Sequence, residues 1–444
     1  STRHRTLFPY TTLFRSGVEV QFVTNVPFLV AGGLNINGSP MDSVWFHGFD
    51  SNWGGIRFVG MEPVAKPSYV PAPSAYLNGV IIEGGSAYGE TTAEQSGGGI
   101  YVGPGRQVNV SGSAIRYNSA NHAGGGVFVD GGYLWMNGTS VKFNSSNFMG
   151  GGIGAANYAS VNISESPVIG NSAEMYGGGI AAAQHVMVGV HQSPIKWNQA
   201  NNAGGGIAVF DSVDLNLEMS NVRNNTSYGD GGGIYAHIAQ VNGFRSVIAD
   251  NSSQGAGGGI AADSAYLNLQ FVTMAKNTAR PMGAAFSTNY SAIQIQNSII
   301  WANDGPAPAL SLNDTGAQIT YSDIQGGWDG MGNINVDPVF MDPLNGNYNL
   351  TMGSMCIDAG NPDAGTDPDG TRADMGAFFF WQEPMWKKLV LPNVNAEPGS
   401  EVLVDIRATH PGLVSADLFF TIPSNVFTPA ENFVRWHVFQ GTEA

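Results

Sequence analysis

Apolar and polar residues alternate in short runs through the middle of this chain. Residues 186–190 and 214–218, for example, place an apolar side chain at every second position. A period of two is typical of a β-strand with one buried face. The runs are short and separated by polar and glycine-rich stretches, so the pattern predicts many short strands.

These strands fall inside a repeat with two fixed markers, an asparagine and a Gly-Gly-Gly triplet that precedes an apolar residue. The marker asparagines, 26 or 27 residues apart, are Asn118, Asn144, Asn171, Asn198, Asn225, Asn251, Asn277 and Asn303. The third glycine recurs in step at Gly99, Gly126, Gly152, Gly179, Gly206, Gly233 and Gly259, and Ala285 takes the eighth place. A period held this closely indicates a solenoid.

One repeat has room for three strands joined by sharp corners. At about 3.3 Å per residue, a repeat traces roughly 90 Å of chain, and stacked strands lie about 4.8 Å apart. The Leu spacing of leucine-rich repeats and the length of propeller blades are both missing. We therefore predict an all-β chain whose main part is a right-handed parallel β-helix, the hand following from the rule for parallel crossovers. The marker asparagines should form a buried amide ladder, and the glycines should let the backbone turn through positive φ.

The composition suits stacked strands and excludes several classes of function. The 444 residues include 61 glycines, only 12% are charged, and the net charge is −16. So acidic a chain is a poor partner for nucleic acid, and no apolar run reaches the length of a membrane span, about 18 residues. The single cysteine, Cys356, excludes an internal disulfide framework and a cysteine-based zinc site. We also predict a monomer.

The two ends of the chain differ from the repeat. Residues 6–16 read TLFPYTTLFRS, which resembles an in-frame translation of a sequencing adapter, so residues 1–16 are predicted to lie outside the fold. Residues 17–96 are predicted to form irregular coils with a proline-studded loop at 63–73, followed by regular coils at 97–305. The composition changes after residue 383, and 384–444 are predicted to form part of a β-sandwich.

Several segments resemble known bacterial families. The coils, including WGGIRF at 53–58, resemble bacterial surface β-helix proteins and the repeats of polymorphic outer-membrane proteins. Residues 306–383 contain NINVDPVFMDPLNGNYNL, SMCIDAGNP and DPDGTRADMGA, and they resemble the terminal segment of the choice-of-anchor Q β-helix family. That resemblance implies a secreted or cell-surface protein. We expect this segment to cap the last coil, because an open coil edge invites pairing. The strands after residue 389 resemble the opening of a cohesin-like domain.

A basic column beside aromatic residues is the first candidate site. Four basic residues stand two positions before a marker asparagine: Arg116, Lys142, Lys196 and Arg223. Aromatic residues follow three of them: Tyr117, Phe143 and Trp197. Charge and ring stacking on Trp197 could hold a polysaccharide or a cell-surface glycan. Solvated edge residues would give the same pattern. This column predicts a scaffold for adhesion or glycan binding.

An enzyme, either a polysaccharide lyase or a glycoside hydrolase acting on a strand face, is the second hypothesis. His237 and Asp263 share one position on adjacent coils, with Asp230 nearby, and a histidine oriented by a carboxylate can act as a general base. Another charged column, read either as an acid–base set or as surface ion pairs, would contain His191, Glu218 and Arg245. A purely structural stalk is the third hypothesis.

A calcium site is the one cofactor that the sequence suggests. Asp363, Asp367 and Asp369 are closely spaced, and Gly370 after them allows a tight turn. Hard oxygen ligands at short spacing suit Ca²⁺. Side-chain hydrogen bonds within the turn are the alternative role for these carboxylates.

Overall fold

The computed structural model describes residues 6–8, 12–39, 41–49, 52–60, 74–305 and 309–382. These residues form a right-handed parallel β-helix, which confirms the predicted fold class. The predicted proline-studded loop at 63–73 and the predicted β-sandwich at 384–444 lie outside the described residues. No helix within the described ranges is long and apolar enough to cross a membrane.

Four parallel sheets run along the β-helix. Each coil adds one strand to sheets A, B and C in that order, and eight of the described coils add a fourth strand, to sheet D. Sheet A consists of Thr6–Phe8, Phe28–Val30, Ile56–Phe58, Ile100–Val102, Val127–Asp130, Ile153–Ala156, Ile180–Ala182, Ile207–Phe210, Ile234–His237, Ile260–Asp263, Phe286–Asn289 and Leu310–Asn313. Sheet B consists of Thr12–Arg15, Leu34–Asn37, Ser74–Asn78, Gln107–Ser111, Tyr133–Asn137, Ser160–Ser164, Met187–His191, Asp214–Glu218, Gln240–Phe244, Tyr266–Gln270, Ala292–Gln296 and Gly316–Thr320.

The other two sheets complete the coils. Sheet C consists of Glu19–Phe22, Val44–Gly48, Val80–Glu83, Ala114–Arg116, Ser140–Lys142, Val168–Ile169, Pro194–Lys196, Asn221–Arg223, Val247–Ala249, Thr273–Ala275, Ile299–Trp301 and Asp323–Ile324. Sheet D consists of Ser86–Ala87, Ser119–Ala120, Ser145–Ser146, Ser172–Ala173, Gln199–Ala200, Thr226–Ser227, Ser252–Ser253 and Thr278–Ala279. An antiparallel pair, Phe340–Asp342 and Asn347–Leu350, and a 3₁₀-helix, Pro362–Ala364, follow.

Sheet D is the main departure from the predicted three-strand coil. Its strands are two residues long, and all but the first, Ser86–Ala87, directly follow a marker asparagine. Alternating burial has no room to show over two residues, so the hydrophobic pattern could not reveal them.

Alternating burial along each strand produces one continuous core. In strand Asp214–Glu218, Leu215 and Leu217 are buried while Asn216 is exposed. The parallel register places Leu215 beside Val188 of the preceding coil. Apolar columns of this kind fill the interior of the β-helix, and each buried Leu or Ile side chain stabilises it by roughly 1.5–3 kcal/mol.

The predicted asparagine ladder is confirmed. The Asn198 amide nitrogen donates to Asn225 Oδ1 and to the Val168 carbonyl oxygen, both at 3.0 Å. Asn198 Oδ1 accepts in turn from the backbone and side chain of Asn171. Asn198 is buried, as are the other ladder members from Asn118 to Asn277. The ladder therefore satisfies backbone groups that the corner would otherwise leave unpaired.

A second polar ladder, which the sequence analysis missed, lies at the corner between sheets B and C. The Ser193 backbone N–H donates to Ser220 Oγ at 3.1 Å, and Ser193 Oγ donates to the His191 carbonyl oxygen at 2.8 Å. The same position is occupied along the coils by Ser113, Thr139, Ser166, Ser246, Ser298 and Ser322. Their spacing repeats with the asparagines, so the period was the available signal.

The glycine triplet allows close contact between coils. Gly124 has a φ of +64°. A Cβ atom on Gly125 would lie 2.2 Å from the Ser145 carbonyl oxygen of the next coil. Only glycine fits so close an approach of two backbones without rearrangement.

The N-terminal segment corrects one prediction. Strand Thr6–Phe8 pairs in sheet A and strand Thr12–Arg15 pairs in sheet B, so this segment does take part in the fold. The Phe14 ring also makes edge contacts with Phe28 and Phe46, at centroid distances of 6.2 and 5.4 Å. The physical reason is that an open coil edge has unpaired backbone N–H and C=O groups. A strand in which apolar and polar residues alternate to match the edge can therefore pair with it. The adapter origin of these residues stays a prediction.

The C-terminal segment covers the last coil and also part of the outer face of sheet C. Residues 325–336 cover the last coil, where the Ile324 N–H donates to the Ile334 carbonyl oxygen at 3.0 Å. Residues 339–380 instead fold back over the outer face of sheet C, where Tyr348 packs against Val247 and Ala275. This outer face is apolar here, so covering it removes hydrocarbon from water.

Candidate functional site

Sheet C aligns the predicted basic column. The strand register places Arg116 beside Lys142, Lys196 beside Arg223, and Ile169 between the two pairs. Parallel stacking converts equal offsets in sequence into neighbouring positions in space. The column is therefore present as the spacing predicted.

Exposed aromatic rings stand at the corner that follows this column. Tyr117, Phe143 and Trp197 have φ values of 55°, 56° and 53°, and half or more of each side chain is exposed. The Tyr117 and Phe143 rings stack at 5.4 Å with 14° between their planes. A Cβ atom on Gly170 would lie 2.7 Å from the Phe143 ring, so that ring extends across the next coil toward Trp197.

The corner itself does not require aromatic residues. Gly170 and Asn224 occupy the same place on other coils, also at positive φ. A bulky residue at positive φ costs of order 1 kcal/mol more than glycine there. Three aromatic rings at this place consequently add exposed apolar surface that the corner geometry does not require.

Charge along the column is unevenly compensated. Arg116 pairs with Glu83, with 2.9 Å between Nη2 and Oε2. For Lys142 and Lys196 the described part of the chain provides no ion pair. Burial, together with the nearby Arg223, lowers the pKa of Lys196 below its usual value. We call the surface formed by the following six residues the corner platform: Arg116, Tyr117, Lys142, Phe143, Lys196 and Trp197.

The exposed part of the basic column is shorter than predicted, because Arg223 is covered. Its guanidinium donates to Asp250 Oδ2 at 2.6 Å and to the Gly346 carbonyl oxygen at 2.8 Å, beneath the Tyr348 ring. Only 13% of its side chain is exposed. The C-terminal segment therefore covers Arg223, and the exposed surface ends at Trp197.

The predicted pairing of His237 with Asp263 is present on sheet A. His237 Nδ1 lies 3.1 Å from Asp263 Oδ2, and about a third of each side chain is exposed. Asp230, the third candidate, instead accepts a hydrogen bond from the Ala256 N–H at 2.7 Å. His237 and Asp263 can thus orient one another, while Asp230 holds a loop of the next coil.

The aromatic neighbours of this pair were not predicted from the sequence. Phe210 lies between Tyr176 and Tyr235, with centroid distances of 5.0 and 5.6 Å. Burial, followed by the negative charges of Asp230 and Asp263, raises the pKa of Tyr235. Because Tyr176 lies on a loop outside the regular strands, no common offset linked it to the other two rings.

The prediction of a charged column on sheet B is partly wrong. His191 Nδ1 lies 3.4 Å from Glu218 Oε2, as the spacing predicted. The next position of the column belongs to Phe244, because the following coil is one residue shorter. Arg245 turns away from sheet B and pairs with Asp367 at 3.2 Å.

Two of the three predicted calcium ligands, Asp367 and Asp369, have other partners. Asp367 is buried and accepts hydrogen bonds from Arg245 at 3.2 Å and from the Asp374 N–H at 2.7 Å. Asp369 accepts from Thr371, and Asp363 is exposed. Across the described ranges, no group of three or more His, Cys, Asp or Glu side chains is arranged to hold a metal ion. Calcium binding stays a prediction.

A buried carboxyl–thiol contact is a further feature without a sequence signal. The Cys356 thiol donates to Asp323 Oδ2 at 3.3 Å, and both side chains are fully buried. Burial raises the pKa of Asp323 to about 6 and also raises the pKa of Cys356. A thiol held in its protonated form is a poor nucleophile, so this contact is structural.

Comparison with known proteins adds no family to this picture. No protein-family model matches the chain, and no curated protein matches it. The resemblances to choice-of-anchor Q proteins and cohesin-like domains therefore stay predictions.

Proposed function

We propose that this chain is a secreted or cell-surface scaffold that binds glycans at the corner platform. The observation that carries the proposal is the row of exposed rings formed by Tyr117, Phe143 and Trp197. Flat aromatic faces suit the apolar faces of sugar rings, because both surfaces lose water on contact. The β-helix supplies a rigid support for such a row.

The charge of the platform favours acidic sugars. Lys142 and Lys196 stand beside the rings, and Arg116 lies 5.9 Å from the Tyr117 ring centroid. These cations can attract carboxylate or sulfate groups even though the whole chain is acidic. Solvent screens such exposed charges, so ring stacking should contribute most of the binding energy.

The test compares Trp197→Ala with Tyr290→Ala, a matched exposed aromatic at another corner with φ of 48°. Probes are hexasaccharides of heparin and of polygalacturonate, titrated calorimetrically against the full chain. Losing roughly 80 Å² of ring contact should cost about 2 kcal/mol, or about thirtyfold in affinity, for Trp197→Ala alone. Lys142→Ala should weaken binding a few-fold at low salt and much less at high salt. Unchanged affinity after Trp197→Ala would refute the proposed site.

A second candidate function rests on the 3.1 Å contact between His237 and Asp263. A polysaccharide lyase or glycoside hydrolase on sheet A would use His237 as the general base. A lyase releases unsaturated products that absorb in the ultraviolet, and a hydrolase releases reducing ends. Product release that disappears in His237→Ala would support this function. If the chain neither binds nor cleaves these glycans, the results would favour the third hypothesis, a structural stalk.

The proposed location is supported by the resemblance of residues 306–383 to choice-of-anchor Q segments. The complete open reading frame provides the test. A secretion signal together with a sorting signal or an anchor would support a surface location.

A further inference from the structure

Sheet B presents a groove on its outer face that is separate from the corner platform. The groove has a volume of about 480 Å³. Its central column consists, in register, of Asn109, Trp135, Asn162, Gly189 and Asn216. Four steps of about 4.8 Å make this column roughly 19 Å long. That length suits an extended chain of several sugar units.

Gly189 opens the groove at its centre. Its position lies between Asn162 and Asn216, and it contributes no side chain to the outer face. Any side chain here would begin 2.9 Å from Asn162 Oδ1. Glycine is not needed for the backbone, because no positive φ occurs at this position. The gap therefore provides space for a ligand without a demonstrable role in folding.

The groove combines an apolar surface with amide groups. Trp135 is 44% exposed. Asn109 Nδ2 is buried and has no hydrogen-bond partner within the described residues. Asn216 Oδ1 accepts from Asn242 at 2.9 Å, and its own nitrogen donates to Asp214 at 3.1 Å. Amides of this kind can both donate to and accept from sugar hydroxyl groups.

The charges at the groove differ from those at the corner platform. Among the described residues that line it, His191 and Glu218 are the titratable ones, and they lie 3.4 Å apart. No Lys or Arg belongs to this lining. A polyanion would gain no cation here and would meet the Glu218 carboxylate, so the groove disfavours acidic sugars.

We propose that the sheet B groove binds a neutral, extended oligosaccharide, with Trp135 as the stacking surface and the exposed amides of Asn162 and Asn216 as hydrogen-bonding groups. This site goes beyond the proposed function of the corner platform and does not depend on it. Together the two surfaces would let one β-helix hold an acidic and a neutral glycan.

The experiment titrates the full chain with cellohexaose, mannohexaose and laminarihexaose, at about 50 mM and about 500 mM NaCl. We expect at least one of these probes to bind, with an affinity that changes less than twofold between the two salt concentrations. Trp135→Ala should weaken binding at least tenfold. Gly189→Asn, which fills the gap with a side chain that the neighbouring coils already carry, should weaken it similarly. Tyr290→Ala removes an exposed aromatic ring outside both surfaces, so it is the matched control and should leave this binding unchanged.

Circular dichroism and the melting temperature establish that each variant is folded. For Gly189→Asn we expect both to match the wild type, because the added Cβ atom meets only the flexible end of the exposed Asn162 side chain, which can rotate away. If none of the three neutral hexasaccharides binds, the groove proposal is overturned, while the corner platform is still judged by its acidic probes. Binding that is lost in Trp197→Ala but kept in Trp135→Ala would likewise overturn it.

Discussion

Arg245 on the coils pairs with Asp367 in the C-terminal segment, with 3.2 Å between Nη2 and Oδ1. The Asp367 side chain is 1% exposed, and the Arg245 guanidinium lies 4.9 Å from the Phe271 ring centroid. The contact joins an outer corner of the β-helix to a segment that folds back over it. It also engages the carboxylate of Asp367, which the sequence analysis predicted to be a calcium ligand.

Removing Arg245 should release the C-terminal segment. Arg245→Met leaves the buried Asp367 carboxylate without its cation, which costs roughly 3 kcal/mol. The coils have their own core, so we expect local opening rather than global unfolding. Hydrogen exchange should accelerate within 340–380 and stay slow in the coils. Arg245→Met combined with Asp367→Asn should restore part of the protection, and wild-type exchange in Arg245→Met would contradict this account.

Replacing a central member of the asparagine ladder should destabilise the coils. Asn198→Leu removes an amide that both donates and accepts, which leaves buried partners on two neighbouring coils unpaired. Each unsatisfied group costs roughly 1–3 kcal/mol. Asn303→Leu is the matched control, because Asn303 ends the ladder and is only partly buried. Denaturant midpoints should fall clearly for Asn198→Leu and less for Asn303→Leu, and equal midpoints for all three proteins would argue against a ladder that supports stability.

Acidification should stabilise the β-helix through Asp323. Burial raises its pKa to about 6 in the folded chain, above the usual carboxyl value. The folded state therefore holds this proton more tightly, so its contribution to stability rises as the pH falls from about 7 to about 4. The gain approaches about 3 kcal/mol at the lower end. Asp374, whose pKa is also raised to about 6 by burial, adds in the same direction.

Asp323→Asn isolates this effect from other titrating groups. Burial lowers the pKa of His122, so its protonation opposes the gain below about pH 6.5 in both proteins. Thermal unfolding at several pH values should show a smaller increase with acidification in Asp323→Asn than in the wild type. Parallel curves for the two proteins would show that Asp323 does not titrate in this range.

Calcium binding by Asp363, Asp367 and Asp369 is open to a direct test. Titration of the chelator-treated chain with Ca²⁺ should give saturable heat and raise the melting temperature. Asp369→Asn should reduce both, because it removes one carboxylate of the set. If the wild type shows no heat of binding and no thermal shift, the calcium prediction is wrong.

The sequence by itself determined the fold, the asparagine ladder and the contents of several columns. Parallel coils convert a constant period into a constant distance, so Arg116 and Lys142, or His237 and Asp263, could be paired by counting. The same arithmetic failed at Arg245, because one shorter coil moved Phe244 into the expected place. Column assignments are therefore reliable only while the coil length is constant.

Only the tertiary structure decided what covers each surface. Arg223 is in register with Lys196 but is hidden beneath Tyr348, and Asp367 faces an arginine rather than solvent. The sheet B groove likewise depends on which side chains point outward on five successive coils. The segment at 339–380 has no period that relates it to the coils. Its contacts arise from packing between residues far apart in the chain, which local sequence patterns do not encode.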